Sequence, residues 1–246
     1  MEPGIRGRPG VTWLAHRAPL AVDGRPIPAS GAPELPDGRF RGSRPEWIVV
    51  VPVKGTGQAK SRFGPGDHST LAIAMAADTV TAAMTADGVV GVLVVTTAEA
   101  SGVFDDLGVF VVVQDTAGLA SAVSLGVMTA TAMTEPGCGI AVLLGDLPAL
   151  TPAELGAALN AAKEHPLAMV SDAVGDGTVL ITAADGSTHA PAFGVGSGAS
   201  HRGAGYIPLE VSIDSGLRND VDSAEGLARL SERVGAHTRL VLAAAG

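Results

Sequence analysis

The sequence predicts an open α/β fold, a mostly parallel sheet with helices on both faces. Three observations carry that prediction. Short apolar runs rich in β-branched residues recur from Trp47 onward, Ala-rich stretches of helical character alternate with them, and the runs lack the strict two-residue alternation of strands with one wet face. Strands covered on both sides and joined through helices require right-handed crossovers, and therefore a largely parallel sheet.

The elements follow in order. "WIVVVPV" from Trp47 is the first strand, and "HSTLAIAMAADTVTAAMTA" is a helix behind it. "GVVGVLVVTT" and "VFVVVQ" are strands separated by the helix "AEASGVFDDLG". "LASAVSLGVMTATAM" is the next helix, with Met75, Met84, Met128 and Met133 assigned to the core of these helical stretches. "GIAVLLGD" then runs to a central strand end, where Pro148 prevents the strand from continuing. Sheets of this type bind ligands at the carboxyl ends of their strands, which directs attention to the residue after each apolar run.

Composition narrows the function. With 246 residues and 46% hydrophobic content the chain can bury one good core, so residues 47–246 are expected to form a single domain. A net charge of -9 argues against a nucleic-acid binder, which needs surplus Lys and Arg. Residues 1–46 differ: prolines, glycines and the arginines at 6, 8, 17, 25, 39, 41 and 44 show no apolar period, as expected of a disordered extension. Cys138 is the single cysteine, which suits a small buried residue in a reducing compartment. No apolar run is long enough for a membrane span, and the start of the chain lacks a signal-peptide core, so the expected location is the cytoplasm with no membrane partner.

Three places carry candidate chemistry. The loop after the first strand, "VPVKGTGQAKSRFG", has a Lys60-Ser61 pair but Lys54 and Ala59 where a P-loop needs glycines. What it does offer is Lys54, Lys60 and Arg62, three cations able to close around a polyphosphate. Asp146 in "GDLPAL" stands at a strand mouth, and Asp220 and Asp222 in "GLRNDVDS" are two positions apart, so an extended backbone aims both to one side. Three such carboxylates suit Mg²⁺. The alternative is that Asp146 and Asp222 cap the helices that follow them. Arg218 beside the pair would brace the carboxylates, reach a phosphate or form a surface salt bridge.

The third place is "SDAVGDGTVLI" followed by "APAFGVGSGASHRGAG". Gly194 to Ser197 at the opening of a short helix would present N–H groups and a hydroxyl to a phosphate, and Thr178 would add a second hydroxyl. Alternatively Thr178 is only a strand residue and the glycines only form turns. Gly194, Gly196 and Ala199 also match a dinucleotide fingerprint, though late in the chain and out of its usual setting. His201, alone in a Gly-rich turn, is structural or at most a hydrogen-bond donor to an anion. No other histidine has the spacing of a zinc site.

Taken in order, "VPVKGTGQAKSRF", "LLGDLPAL", "SDAVGDGTVL", "FGVGSGASH" and "GLRNDVDS" resemble the guanylyltransferases of deazaflavin coenzyme F-420 biosynthesis, close to the phosphoenolpyruvate type. The resemblance runs from Trp47 to a last helix and strand. It implies the Rossmann-like nucleotidyltransferase fold shared with the molybdenum-cofactor guanylyltransferases and with nucleotide-diphospho-sugar transferases. It implies that Asp146, Asp220 and Asp222 hold Mg²⁺, and that Thr178, Gly194 and Ser197 hold a phosphorylated three-carbon acid. It implies GTP and phosphoenolpyruvate as substrates, with hand-over of a labile product to the next transferase. Ala120 departs from the asparagine that the resemblance leads one to expect after Gly118-Leu119.

The chemistry can be built without that resemblance. A phosphate oxygen of the acceptor attacks the α-phosphorus of a nucleoside triphosphate and pyrophosphate leaves. Positioning and electrostatic stabilisation then carry catalysis, through Asp146, Lys54 and Lys60. A phosphate monoester with a second pKa about 6 is already ionised at neutral pH, so no side-chain base is needed. Acceptors such as 2-phospho-L-lactate and 3-phosphoglycerate would serve the same chemistry. Two other classes stay open, a nicotinamide-dependent oxidoreductase and a non-catalytic nucleotide-binding module.

Overall fold

The computed structural model describes residues 46–53, 69–115, 118–133, 138–184 and 189–245. Lys54, Lys60, Arg62 and the Arg-rich segment 1–45 lie outside the described residues.

Seven strands and seven helices are described: β1 Trp47–Pro52, α1 Ser69–Met84, β2 Val89–Thr96, α2 Ala98–Leu107, β3 Phe110–Val113, α3 Leu119–Met133, β4 Gly139–Leu143, α4 Pro152–Ala162, β5 Leu167–Val170, β6 Leu180–Ala183, α5 Ser197–Gly203, β7 Ile207–Pro208, α6 Ala224–Leu230 and α7 Ala236–Ala245. The strands form one sheet in the order β3-β2-β1-β4-β6-β5-β7. β1 to β4 are mutually parallel through β2–β3, β1–β2 and β1–β4, and only β6 runs against its neighbours, β4 and β5. The sheet is therefore mostly parallel, as its apolar runs foretold, and Asp146 follows the central strand.

β1 shows why the strands need no alternation of polarity. Trp47, Val49 and Val51 enter one core and Ile48 and Val50 the other, so every residue of the strand is buried although successive side chains point to opposite faces. On the first face lie Ala76, Ala77, Val80 and Ala83 of α1, Phe104 of α2, and Leu155 and Leu159 of α4. On the second lie Ala122, Val123 and Ala130 of α3, joined by Met169, Ile181 and Tyr206. A third cluster, with Met75, Val221, Leu227 and Val234, seats the last two helices. Helix α4 starts sharply because Thr151 and Glu154 form a reciprocal capping box with Pro152 behind them.

The structure corrects two details. The chain ends in a helix, not a strand: the Asp78 carboxylate accepts the His237 and Thr238 N–H groups at 2.9 Å each, satisfying the first turn of α7. Met128 is 60% exposed and lies on the outer side of α3, so it is not core. Met75 is buried as expected. Cys138 is buried, with its thiol donating to the Glu46 carbonyl at 3.2 Å, and burial pushes that thiol up to about 11. The strands β5, β6 and β7 are short, and sequence pattern alone did not resolve them. Among the described residues no helix is long and apolar enough to cross a membrane.

Candidate active site

The carboxylates converge. Asp146, Asp220 and Asp222 each offer an oxygen within 4.8 Å of the others. Two local features bring them together. β4 delivers Asp146 to the sheet's carboxyl edge, and the Val221 N–H donates to the Asp146 carbonyl at 2.9 Å, laying the 220–222 stretch beside it. Val221 itself points into the third core cluster, so the alternation of an extended backbone turns Asp220 and Asp222 the other way, toward Asp146. Burial, and then the Asp146, Asp222 and Asp172 carboxylates, push the Asp220 carboxyl up to about 7. Hard oxygen donors gathered at the cost of mutual repulsion are what a small divalent cation relieves. Around magnesium such oxygens stand about 3 to 4 Å apart, so side-chain adjustment alone would seat one.

Helix capping is not their role. Thr151 caps α4, and the Ser223 hydroxyl accepts the Gly226 N–H at the start of α6. Arg218 is also reassigned. It does not pair with the carboxylates: Nε donates to the Ser171 and Asp172 carbonyls at 3.1 and 3.2 Å, Nη2 to the Asp172 carbonyl at 2.7 Å, and Nη1 to the Val211 carbonyl at 3.1 Å. The guanidinium thus ties the end of β5 to the chain leading into Asp220. Glu154 steadies the same approach, with Oε1 accepting the Gly216 N–H at 2.8 Å.

Beside Asp146 opens a cavity of about 70 Å³, lined among others by Pro52, Val53, Met75, Leu119 and Leu144. It sits where the carboxyl ends of β1 and β4 meet the first turn of α3. A larger groove of about 450 Å³ runs along α4 past Glu154 and Glu210 and shares no residue with the carboxylate trio.

The second predicted constellation is assembled on the antiparallel side. Thr178 precedes β6, and Ser197 opens α5 behind Gly196, whose φ of 69° is the left-handed conformation that glycine adopts without strain. The two segments are pinned together: the Gly198 N–H donates to the Asp176 carbonyl at 2.9 Å, and a Cβ at Gly198 would press on that oxygen. Asp172 shapes the intervening loop by accepting the Gly175 and Gly177 N–H groups at 2.6 and 2.9 Å. Gly194 is exposed, whereas Thr178 and Ser197 are buried. The dinucleotide fingerprint lacks its setting, because no strand directly precedes the seven-residue α5.

His201 is wholly buried. Its Nε2 accepts the Ala192 N–H at 2.8 Å and its Nδ1 lies 3.0 Å from the Thr178 hydroxyl. Burial lowers its pKa. The ring meets Phe193 and Tyr206 edge to face, with centroids 5.1 and 5.2 Å away. Beyond Tyr206 stands His189, which no spacing in the sequence places: its Nε2 is 2.8 Å from the Ile140 carbonyl and its Nδ1 3.0 Å from the Tyr206 hydroxyl. Burial, despite the Ile140 hydrogen bond, brings His189 down to about 4. Histidines 189 and 201 show no shared spacing in sequence; only a tyrosine between them in space joins them.

The chain is 41% identical over 205 residues to the phosphoenolpyruvate guanylyltransferase of Streptomyces coelicolor, spanning 80% of this chain and 96% of that one. It is 44% identical over 205 residues to the phosphoenolpyruvate guanylyltransferase of Salinispora arenicola, spanning 80% and 92%. No protein-family model matches it. Among solved structures, a nucleotidyl transferase from Methanothermobacter superposes with a TM-score of 0.55 at 20% identity, covering 81% of this chain and 100% of that one. A Mycobacterium tuberculosis protein solved with manganese superposes with a TM-score of 0.50 at 22% identity, covering 77% and 100%. These likenesses assign the fold as that of nucleotidyltransferases.

Proposed function

This chain belongs to the phosphoenolpyruvate guanylyltransferase family of nucleotidyltransferases, and from that premise we propose that it joins GTP to phosphoenolpyruvate, releasing pyrophosphate and giving enolpyruvoyl-2-diphospho-5'-guanosine for coenzyme F-420 biosynthesis. The observation that supports the reading most directly is the convergence of Asp146, Asp220 and Asp222 at the mouth of the central strand. A phosphate oxygen of the acceptor attacks the α-phosphorus of GTP, a new P–O bond forms, and the bond to the β-phosphate oxygen breaks as pyrophosphate departs.

Asp146, Asp220 and Asp222 would hold Mg²⁺, which offsets charge on the triphosphate and on the leaving group. Lys54, Lys60 and Arg62 follow β1 and supply the cations for the triphosphate oxygens. Thr178, Gly194 and Ser197 hold the acceptor: hydroxyls and free N–H groups suit its anionic oxygens. No side chain need remove a proton, because the attacking phosphate is already ionised. Residues 47–246 form the catalytic domain, the location is the cytoplasm, and the labile product passes to the next transferase of the pathway.

A matrix of GTP and ATP against phosphoenolpyruvate, 2-phospho-L-lactate and 3-phosphoglycerate, read by pyrophosphate release and product mass, tests the assignment. GTP with phosphoenolpyruvate is expected to give the highest kcat/KM. Failure of every pair to release pyrophosphate would overturn the proposal, and a clear preference for another acceptor would reassign the substrate.

A further inference from the structure

We propose that His201 is a positioning residue for acceptor recognition: locked in a single tautomer, it turns the Thr178 hydroxyl into a hydrogen-bond donor aimed at an anionic oxygen of the acceptor. The inference rests on the reading above that Thr178 contacts the acceptor.

The tautomer follows from the partners. The Ala192 backbone N–H can only donate, and it meets Nε2 at 2.8 Å, so Nε2 carries no hydrogen. A neutral imidazole must then carry its hydrogen on Nδ1, and an imidazolium would set two N–H groups against each other at Nε2. Nδ1–H therefore donates to Thr178 Oγ1 at 3.0 Å. The hydroxyl oxygen is thereby used as an acceptor, and its own hydrogen must point elsewhere; among the described residues no acceptor for it is present. With its oxygen already accepting from Nδ1–H, the buried hydroxyl still has its hydrogen to place, and an anionic oxygen satisfies it, because an unsatisfied buried donor is costly.

The ring is held for this task from every side. Phe193 and Tyr206 meet it edge to face. Tyr206 is fixed in turn, since its oxygen accepts the Ala190 N–H at 2.9 Å and its hydroxyl faces His189 Nδ1 at 3.0 Å. His189 Nε2, 2.8 Å from the Ile140 carbonyl, must be the protonated nitrogen, which makes Nδ1 the acceptor of the tyrosine hydrogen. Each hydrogen of the layer is thus assigned by a partner with one possible role, from the Ile140 carbonyl of β4 to the Thr178 hydroxyl. Rigid groups in predetermined orientations recognise a ligand with little reorganisation. The same network explains why His201 is no general base: Nε2 is occupied by the Ala192 N–H and Nδ1 already carries its hydrogen.

The test measures steady-state kinetics of Thr178→Val, His201→Leu and the double variant with saturating GTP and Mg²⁺, with melting temperature as the check on folding. Loss of a hydrogen bond to a charged group predicts a rise in the phosphoenolpyruvate KM of roughly ten- to a hundredfold for each single variant, with kcat and the GTP KM much less changed. The double variant is expected to be no worse than either single one. His201→Gln, which keeps one donor and one acceptor, is expected to recover part of the loss. An unchanged phosphoenolpyruvate KM in Thr178→Val would overturn the contact between Thr178 and the acceptor, and this inference with it. A raised KM in Thr178→Val but not in folded His201→Leu would overturn the inference alone. Nitrogen-15 NMR of the unmodified protein is independent of variant folding: the Nδ1–H tautomer is expected, and the Nε2–H tautomer would refute the proposal.

Discussion

The two halves of the site are built on opposite electrostatic plans. At the edge of β4 three carboxylates are crowded, and burial, then the neighbouring acids, push Asp220 up to about 7. On the antiparallel side Thr178 rests on a layer in which burial lowers the pKa of both histidines and a backbone group fixes each ring. In the first, each carboxylate adds to the charge around the others, which a bound cation would offset. In the second, neutral groups are oriented by backbone partners and the Thr178 hydroxyl hydrogen is left to place.

The comparison breaks most visibly through Asp146. Asp146→Ala is expected to lower kcat on the order of a hundredfold or more, as removal of comparable electrostatic stabilisation does. His201→Ala should retain substantial turnover at saturating acceptor. Equal loss of kcat in both would erase the distinction between the two halves.

Stability against pH separates them next. In metal-free protein, Asp220 has a folded pKa raised from 3.8 to about 7, so its contribution to stability is present at low pH and is lost as pH rises through that window. His189 has a folded pKa lowered from 6.5 to about 4, so its contribution is present above pH 6.5 and is lost as pH falls toward 4. The two slopes oppose each other, worth at most roughly 4 kcal/mol for Asp220 and roughly 3 kcal/mol for His189. Urea unfolding between pH 4 and 7 should show stability rising more steeply with pH in Asp220→Asn, and less steeply in His189→Gln. Slopes unmoved by either variant would contradict this assignment.

Smaller effects sharpen the boundary. Arg218→Met removes donors from three carbonyls that link the halves, and should destabilise the fold by about 1 to 3 kcal/mol in a denaturant titration. Thr151→Ala removes only a helix cap, and is expected to cost about 1 kcal/mol while leaving both substrate KM values unchanged.

How much of this was legible in the sequence follows the same divide. β1 to β4 could be read because buried parallel strands write continuous apolar runs, and the carboxylates because each sits where such a run or an extended pair ends. The Asp-Val-Asp alternation carried its own geometry: Val221 inward, the acids outward. The strands β5 to β7 are too short for periodicity to register. Arg218 was misread because its partners are carbonyls, which sequence does not label. His201 was recognised as structural, yet its link to Thr178 crosses from one side of β6 to the end of α5, and no spacing records that contact. Tyr206 and His189 gave no signal at all, since a hydrogen-bond layer is assembled by the fold.

The central claim is that Asp146, Asp220 and Asp222 together hold a divalent cation. The most direct test is a titration of the metal-free protein with Mn²⁺ followed by electron paramagnetic resonance, in the unmodified chain, Asp146→Ala and Asp220→Asn. The account predicts one ion bound per unmodified chain, displaced by excess Mg²⁺, and markedly weakened binding in each variant. Binding as tight in both variants as in the unmodified chain would contradict it.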